Sequence, residues 1–218
     1  MLLWMLLAAC GPKTCALDAT AASGEVLVVG DSLLAWHAPR CRSVPDYLSE
    51  ASGLSVVNAA VNGAQLTGGR HPIPEQYLDG AWSWVVMNGG GNDLNQQCEC
   101  GDACEDVMDA LIDPTDWSGA APALAARALA AGGRVALMGY YEMPESAWYG
   151  LGRCGAQFDI LNARYAAYAA ATDGVTYIDA GEAMQWDRRS QYDFDKVHPD
   201  PAGASALAAQ IAEAMAAP

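Results

Sequence analysis

The stretch Val26-Leu27-Val28-Val29-Gly30-Asp31-Ser32-Leu33 decides how the chain is read. Four consecutive apolar β-formers followed at once by Gly-Asp read as a buried parallel strand ending in a turn, because a strand covered on both faces shows no polar alternation. Ser32 then stands where strand gives way to helix. In an open parallel sheet the ligand crevice lies at the carboxyl ends of the strands, and a helix N-terminus there offers free backbone N–H groups to an oxyanion. A serine at this point is placed as a nucleophile.

Working outward, short apolar runs recur at residues 25–29, 54–58, 84–88, 134–140 and 175–179, each followed by a Gly, Asn, Asp or aromatic cluster. Helical patterning is clearest at residues 122–131, 158–171 and 201–216, the last opening with Pro201 in its first turn, and weaker at 34–51 and 106–112. Strands alternating with helices predict an α/β fold: a single flavodoxin-like three-layer α/β/α sandwich around a five-stranded parallel sheet. Residues 25–218 form that domain, and residues 1–24 are expected to be an export signal and N-terminal tail. Residues 63–80 and 142–155 lack periodicity and are expected to run as loops over the active edge.

With 218 residues, 52% of them hydrophobic, the chain can bury a full core in one domain. No solenoid-length repeat is visible. The formal net charge is −15, and no basic run could track a phosphate backbone. Nucleic acid is therefore excluded as a partner, and an anionic membrane surface would repel the folded domain. A monomer is expected.

The first ten residues form an apolar run too short to span a bilayer but adequate as the core of an export signal, although no Lys or Arg precedes it. Leu7-Ala8-Ala9-Cys10, followed by Gly11, reads as a bacterial lipobox with Cys10 as the lipidated residue. Membrane contact is expected only through that anchor, giving a periplasmic or cell-surface lipoprotein or otherwise a secreted protein. Of seven cysteines, Cys15, Cys41, Cys98, Cys100, Cys104 and Cys154 then remain. That even set suggests an oxidising compartment and up to three disulfides. The close spacing of Cys98, Cys100 and Cys104 also allows a metal reading, but no nearby His completes a tetrahedral set. Disulfides are the better reading, with Cys41 and Cys154 as candidate partners for two of the three.

A serine hydroxyl needs an adjacent base, itself oriented by a third group. The chain holds three histidines. His37 falls on the helix expected after Ser32 and would point away from the hydroxyl; His71 lies in a His-Pro-Ile-Pro loop. His198 alone has a carboxylate, Asp195, at a spacing that lets one short turn present both side chains to the same point, with a helix beginning at Pro201 to anchor it. Aromatic residues gather where loops should overhang the site: Trp82, Trp84, Tyr140, Tyr141, Trp148, Tyr149, Trp186 and Tyr192.

Four motifs, Gly30-Asp31-Ser32-Leu33, Asn58-Ala59-Ala60-Val61-Asn62-Gly63, Gly89-Gly90-Gly91-Asn92-Asp93 and Asp195-Lys196-Val197-His198, resemble the four blocks of the SGNH (GDSL-type) hydrolase family in their usual order. The resemblance implies Ser32 as nucleophile, His198 as general base and Asp195 as its partner. It implies an oxyanion hole made by the backbone N–H groups of Ser32 and Gly63 and the side-chain amide of Asn92. Asp31 and Asp93 are expected to fix turns. No cofactor and no metal are implied. The activity implied is that of a serine esterase hydrolysing small acyl or acetyl esters of carbohydrates or lipids, small-molecule or polysaccharide, through an acyl-serine intermediate. An O-acyltransferase acting on a polysaccharide, or a catalytically dead lipid-anchored binding protein, are the alternatives on the same fold.

Overall fold

The computed structural model describes residues 15–20 and 24–217. The proposed lipidation site Cys10 and most of the proposed signal lie outside the described residues.

The buried run folds as read. Val26–Val29 forms strand β2, with every side chain fully buried. It pairs in parallel with β3 (Val56–Asn58) on one side and β4 (Trp84–Met87) on the other. β5 (Arg134–Met138) and β6 (Val175–Ile178) continue beyond β4, again in parallel. Among the described residues the sheet has six strands, not the expected five, because Leu17–Asp18 forms a two-residue strand, β1, that pairs with β3 at the opposite edge. The expected tail thus contributes sheet. A hydrogen bond from the Ala16 N–H to the Asp46 carboxylate and a disulfide from Cys15 to Cys41 hold it there.

The strand order β1-β3-β2-β4-β5-β6 has a direct consequence. From β2 the chain first moves to one side and then returns to the other, so the carboxyl end of β2 is the switch point at which an open α/β sheet leaves a crevice. Ser32 opens the next helix, α1 (Ser32–Ala35), at that point. With right-handed crossovers, α2 (Val44–Ser52) falls on one face and α5 (Ala120–Ala130) and α6 (Gly155–Ala171) on the other. The C-terminal helix α8 (Pro201–Ala216) packs against α2.

The helix expected over residues 34–51 is broken. Trp36 leaves helical geometry, His37 and Cys41 are left-handed with φ of 64° and 52°, and Ala38–Arg40 makes a single 3-10 turn before α2 begins. Pro39 lacks the N–H to continue α1, and Cys41 is tied to Cys15. His37 therefore sits in a turn and not on a helix. Asp93, expected to fix a turn, lies in the first turn of a helix that was not expected, α3 (Gly91–Gln97), and the helix expected at residues 106–112 forms as α4 (Glu105–Leu111). The loop expected over residues 142–155 ends in a kinked 3-10 segment, Trp148–Cys154. A further one-turn helix, α7 (Ala180–Ala183), follows β6.

The three disulfides join Cys15 to Cys41, Cys98 to Cys104 and Cys100 to Cys154. Cys154 finds a partner in the close-spaced trio as expected. Cys41 does not, because the N-terminal strand brings Cys15 to it first. Among the described residues no group of His, Cys, Asp and Glu is arranged to hold a metal ion, and no helix is long and apolar enough to cross a membrane.

Candidate active site

The turn carrying Ser32 is fixed from three sides before any substrate arrives. Gln76 takes both backbone groups of Gly30, accepting from its N–H at 2.7 Å and donating to its carbonyl at 3.0 Å. Asn88, fully buried at the end of β4, accepts from the Asp31 N–H and donates to the Asp31 carboxylate at 2.8 Å. The same carboxylate caps α1 through the Leu33 N–H at 2.9 Å and accepts from the Tyr140 hydroxyl at 2.6 Å. Burial pushes the Asp31 carboxyl above its ordinary value even against these donors. Asp31 thus fixes the turn, as the sequence suggested, and the Ser32 N–H is left without a partner among the described residues.

Two further donors converge from β3 and β4. Gly63 has φ of +76°, a left-handed conformation that a side chain would strain, and its backbone N–H makes no hydrogen bond among the described residues. Asn92, in the first turn of α3, donates from its amide to the Ala64 carbonyl at 3.0 Å. One amide hydrogen is used to aim the group; the other remains available. Asp93, fully buried, accepts from the Leu66 and Thr67 N–H groups at 2.9 and 2.8 Å. It stitches the loop that bears Gly63 to the helix that bears Asn92.

Asp195 and His198 meet as expected: His198 Nδ1 lies 2.6 Å from Asp195 Oδ2, and the other carboxylate oxygen accepts from the backbone N–H groups of Val197 and His198 at 3.0 Å. Burial would raise the Asp195 carboxyl, but the bonds from the His198 ring and from these N–H groups outweigh it and hold the group below its ordinary value. The turn is anchored where α8 starts, with Asp200 capping the Ala202 and Gly203 N–H groups. His71 is exposed on the loop after Gly63, outside the cavity.

Ser32, Gly63, Asn92 and His198 line one cavity of about 340 Å³. Its walls also include Trp36, Asn62, Asn95, Gln96, Tyr149 and Leu151, which the sequence reading had not singled out, apart from Tyr149. Of the expected aromatic overhang, Trp82 and Trp84 are buried at the opposite end of β4, and Tyr140 and Tyr141 are buried beneath the site. The exposed aromatics nearby are Tyr149, which lines the cavity, Trp148 packed against it and Phe194 packed against Trp148, at 58, 50 and 66%. Trp148 and Tyr149 follow from a loop that runs over the strand ends; Phe194 could have been found by its place next to Asp195.

Comparison with known proteins bears on the fold. Solved structures of similar fold include a catalytic mutant of an acetylxylan esterase from Geobacillus stearothermophilus, 18% identical, with a TM-score of 0.61 over 89% of this chain and 95% of that one. A GDSL-like lipase from Bacteroides thetaiotaomicron is 20% identical, with a TM-score of 0.62 over 87% of this chain and 86% of the other. A carbohydrate acetylesterase family member from Sinorhizobium meliloti is 18% identical, with a TM-score of 0.55 over 84% of this chain and 92% of its own. No curated protein matches. At such identities the likeness establishes the fold. The profile of the GDSL-like lipase/acylhydrolase family matches residues 28–206, from within β2 to the first turns of α8, and the chain belongs to that family.

Proposed function

We propose that the protein is a serine esterase that hydrolyses small acyl esters of carbohydrates through an acyl-Ser32 intermediate. The observation that carries this reading is the convergence of Ser32, Gly63, Asn92 and His198 on one small cavity, with Asp195 bonded behind His198. His198 Nε2 takes the Ser32 proton as Oγ attacks the ester carbonyl. Asp195 accepts the Nδ1–H and favours the imidazolium that forms. The oxyanion is received by the N–H groups of Ser32 and Gly63 and the free amide hydrogen of Asn92. His198 then returns the proton to the leaving alcohol, and water repeats the sequence on the acyl-enzyme.

The length of the chain, without a large insertion, favours a short acyl group. Because His198 protonates the leaving alcohol, the alcohol part lies on its side of the site, where Tyr149, Trp148 and Phe194 present exposed rings on which a sugar can pack. The acetylxylan esterase and the carbohydrate acetylesterase family member among the similar folds support the same substrate class. Three disulfides among the described residues suit an oxidising compartment, and we place the protein outside the cytoplasm, with Cys10 as its lipid anchor.

A fluorophosphonate should label the protein stoichiometrically, and Ser32→Ala should abolish labelling together with hydrolysis of p-nitrophenyl acetate and acetylated xylan. Labelling that survives this substitution refutes the assignment of the nucleophile.

A further inference from the structure

The base is held from a direction that neither Asp195 nor the oxyanion donors account for. Trp36, at the end of α1, lays its indole over the His198 imidazole, with ring centroids 3.8 Å apart and planes 7° from parallel. The indole is itself fixed. Its Nε1–H donates to Asp193 Oδ2 at 2.7 Å, and Asp193 lies in the same turn as the base, its backbone N–H donating to the His198 carbonyl at 2.8 Å. The edge of Tyr149 closes another side of the imidazole at 5.9 Å.

Two neutral aromatic rings gain least when stacked face to face and prefer offset or edge contacts. A cation over an indole face is attracted to it, and tryptophan is the best of the aromatics for this. An indole lying parallel over the imidazole therefore holds it more strongly once His198 carries a charge. We propose that Trp36 is a positioning residue for His198, holding the plane of its ring and stabilising the imidazolium that forms during acyl transfer. The inference rests on the esterase reading above. In that step the Ser32 O–H bond breaks and its proton goes to His198 Nε2. The O–H electron pair forms the bond to the carbonyl carbon, and the carbonyl π pair moves onto the oxyanion. The imidazolium exists only from this point until the proton passes to the leaving alcohol, so an indole that favours it acts on the transition state more than on the resting enzyme.

Trp36 also lines the cavity, so its role as a wall must be separated from its role on the base. The test measures the fluorophosphonate labelling rate, and kcat and KM on p-nitrophenyl acetate, butyrate and hexanoate, for the wild type, Trp36→Phe and Trp36→Leu, with melting curves for each. Trp36→Leu should lower the labelling rate and kcat about tenfold, by the same factor for every acyl length, with KM little changed. Trp36→Phe, which keeps a ring face but loses the bond to Asp193, should recover most of that loss. If the Leu variant does not fold, Trp36→Met, which fills the space without a π face, carries the same comparison against Phe.

A loss that varies with acyl length, a Phe variant as impaired as the Leu variant, or an unchanged labelling rate overturns the proposal. Labelling of Ser32 without turnover of any ester refutes the esterase reading instead and leaves this inference to the labelling rates. Absence of labelling sinks both.

Discussion

At the scale of single residues, one hydroxyl joins the backbone segments that carry the proposed nucleophile Ser32 and the proposed oxyanion donor Asn92. Tyr140 donates to Asp31, which caps the Ser32 turn, and accepts from the Gly91 N–H one residue before Asn92, at 2.8 Å. Gly91 must be glycine for this, since a Cβ there would meet the Tyr140 ring at 2.6 Å. Burial beside Asp31 raises the Tyr140 hydroxyl well above its ordinary range, so it remains a donor. Tyr140→Phe should cost about 1–3 kcal/mol, because it strands buried partners, and should lower kcat more than it raises KM. The pH dependence has a definite sign. Asp31 has its folded-state value raised above 3.8, so the native state binds the proton more tightly and stability falls as pH rises through the raised value. Losing the Tyr140 donor harms the ionised carboxylate most. Urea unfolding at pH 4 and pH 7 should therefore show the larger destabilisation at pH 7, and an equal cost at both would show that the hydroxyl does not serve Asp31. None of this linkage was legible in the sequence, because residues 31, 91 and 140 meet only through packing. Asp195 and His198 were legible because the four residues of one turn suffice to join them.

Among the elements, the sequence reading succeeded where patterning alone decides and failed where crosslinks and glycines intervene. The five longer strands are apolar runs with no competing period, so they were found. The helix expected over residues 34–51 has a helical composition, but Pro39 and the Cys15–Cys41 bridge override it. Gly89-Gly90-Gly91 has the composition of a turn, yet α3 starts at Gly91; the glycines are there because Ile73, Leu66, Leu161 and Tyr140 leave no room for a side chain at these positions. The bridge from Cys100 to Cys154 lies beside the candidate site. It ties the end of α3, which carries Asn92, Asn95 and Gln96, to the 3-10 segment that carries Tyr149 and Leu151. Asn95 adds a bond to the Tyr149 carbonyl at 2.9 Å. Replacing Cys100 and Cys154 together by serine should lower stability by about 2–4 kcal/mol and flatten the dependence of kcat/KM on acyl length, since one wall of the cavity is then free to retreat. Calorimetry and a chain-length series on the double variant measure both effects. Lost stability with an unaltered chain-length profile would confine the bridge to a structural part.

Over the whole molecule the decisive quantity is charge. Twenty-six acidic residues against eleven basic ones leave −15, while the exposed side chains near His198, the proposed base, are the rings of Trp148, Tyr149 and Phe194 with only a few cations, Arg153, Arg189 and Lys196, among them. A neutral polymer can approach such a rim and stack on Trp148, Tyr149 and Phe194; a polyanion is opposed by the field of the whole chain before it reaches them. The same acetyl ester should therefore be cleaved at different rates according to the charge of the polymer that carries it. At an ionic strength of about 0.01 M, where charges act over roughly 30 Å, kcat/KM on acetylated xylan should exceed that on acetylated polygalacturonate, and added salt to about 0.15 M should narrow the gap by accelerating the second substrate. Small neutral esters such as p-nitrophenyl acetate should respond little to salt, because they carry no charge for the field to act on. Rates on the polyanion that are insensitive to salt would mean that the site is locally shielded from the net charge, and that the rim alone selects the substrate.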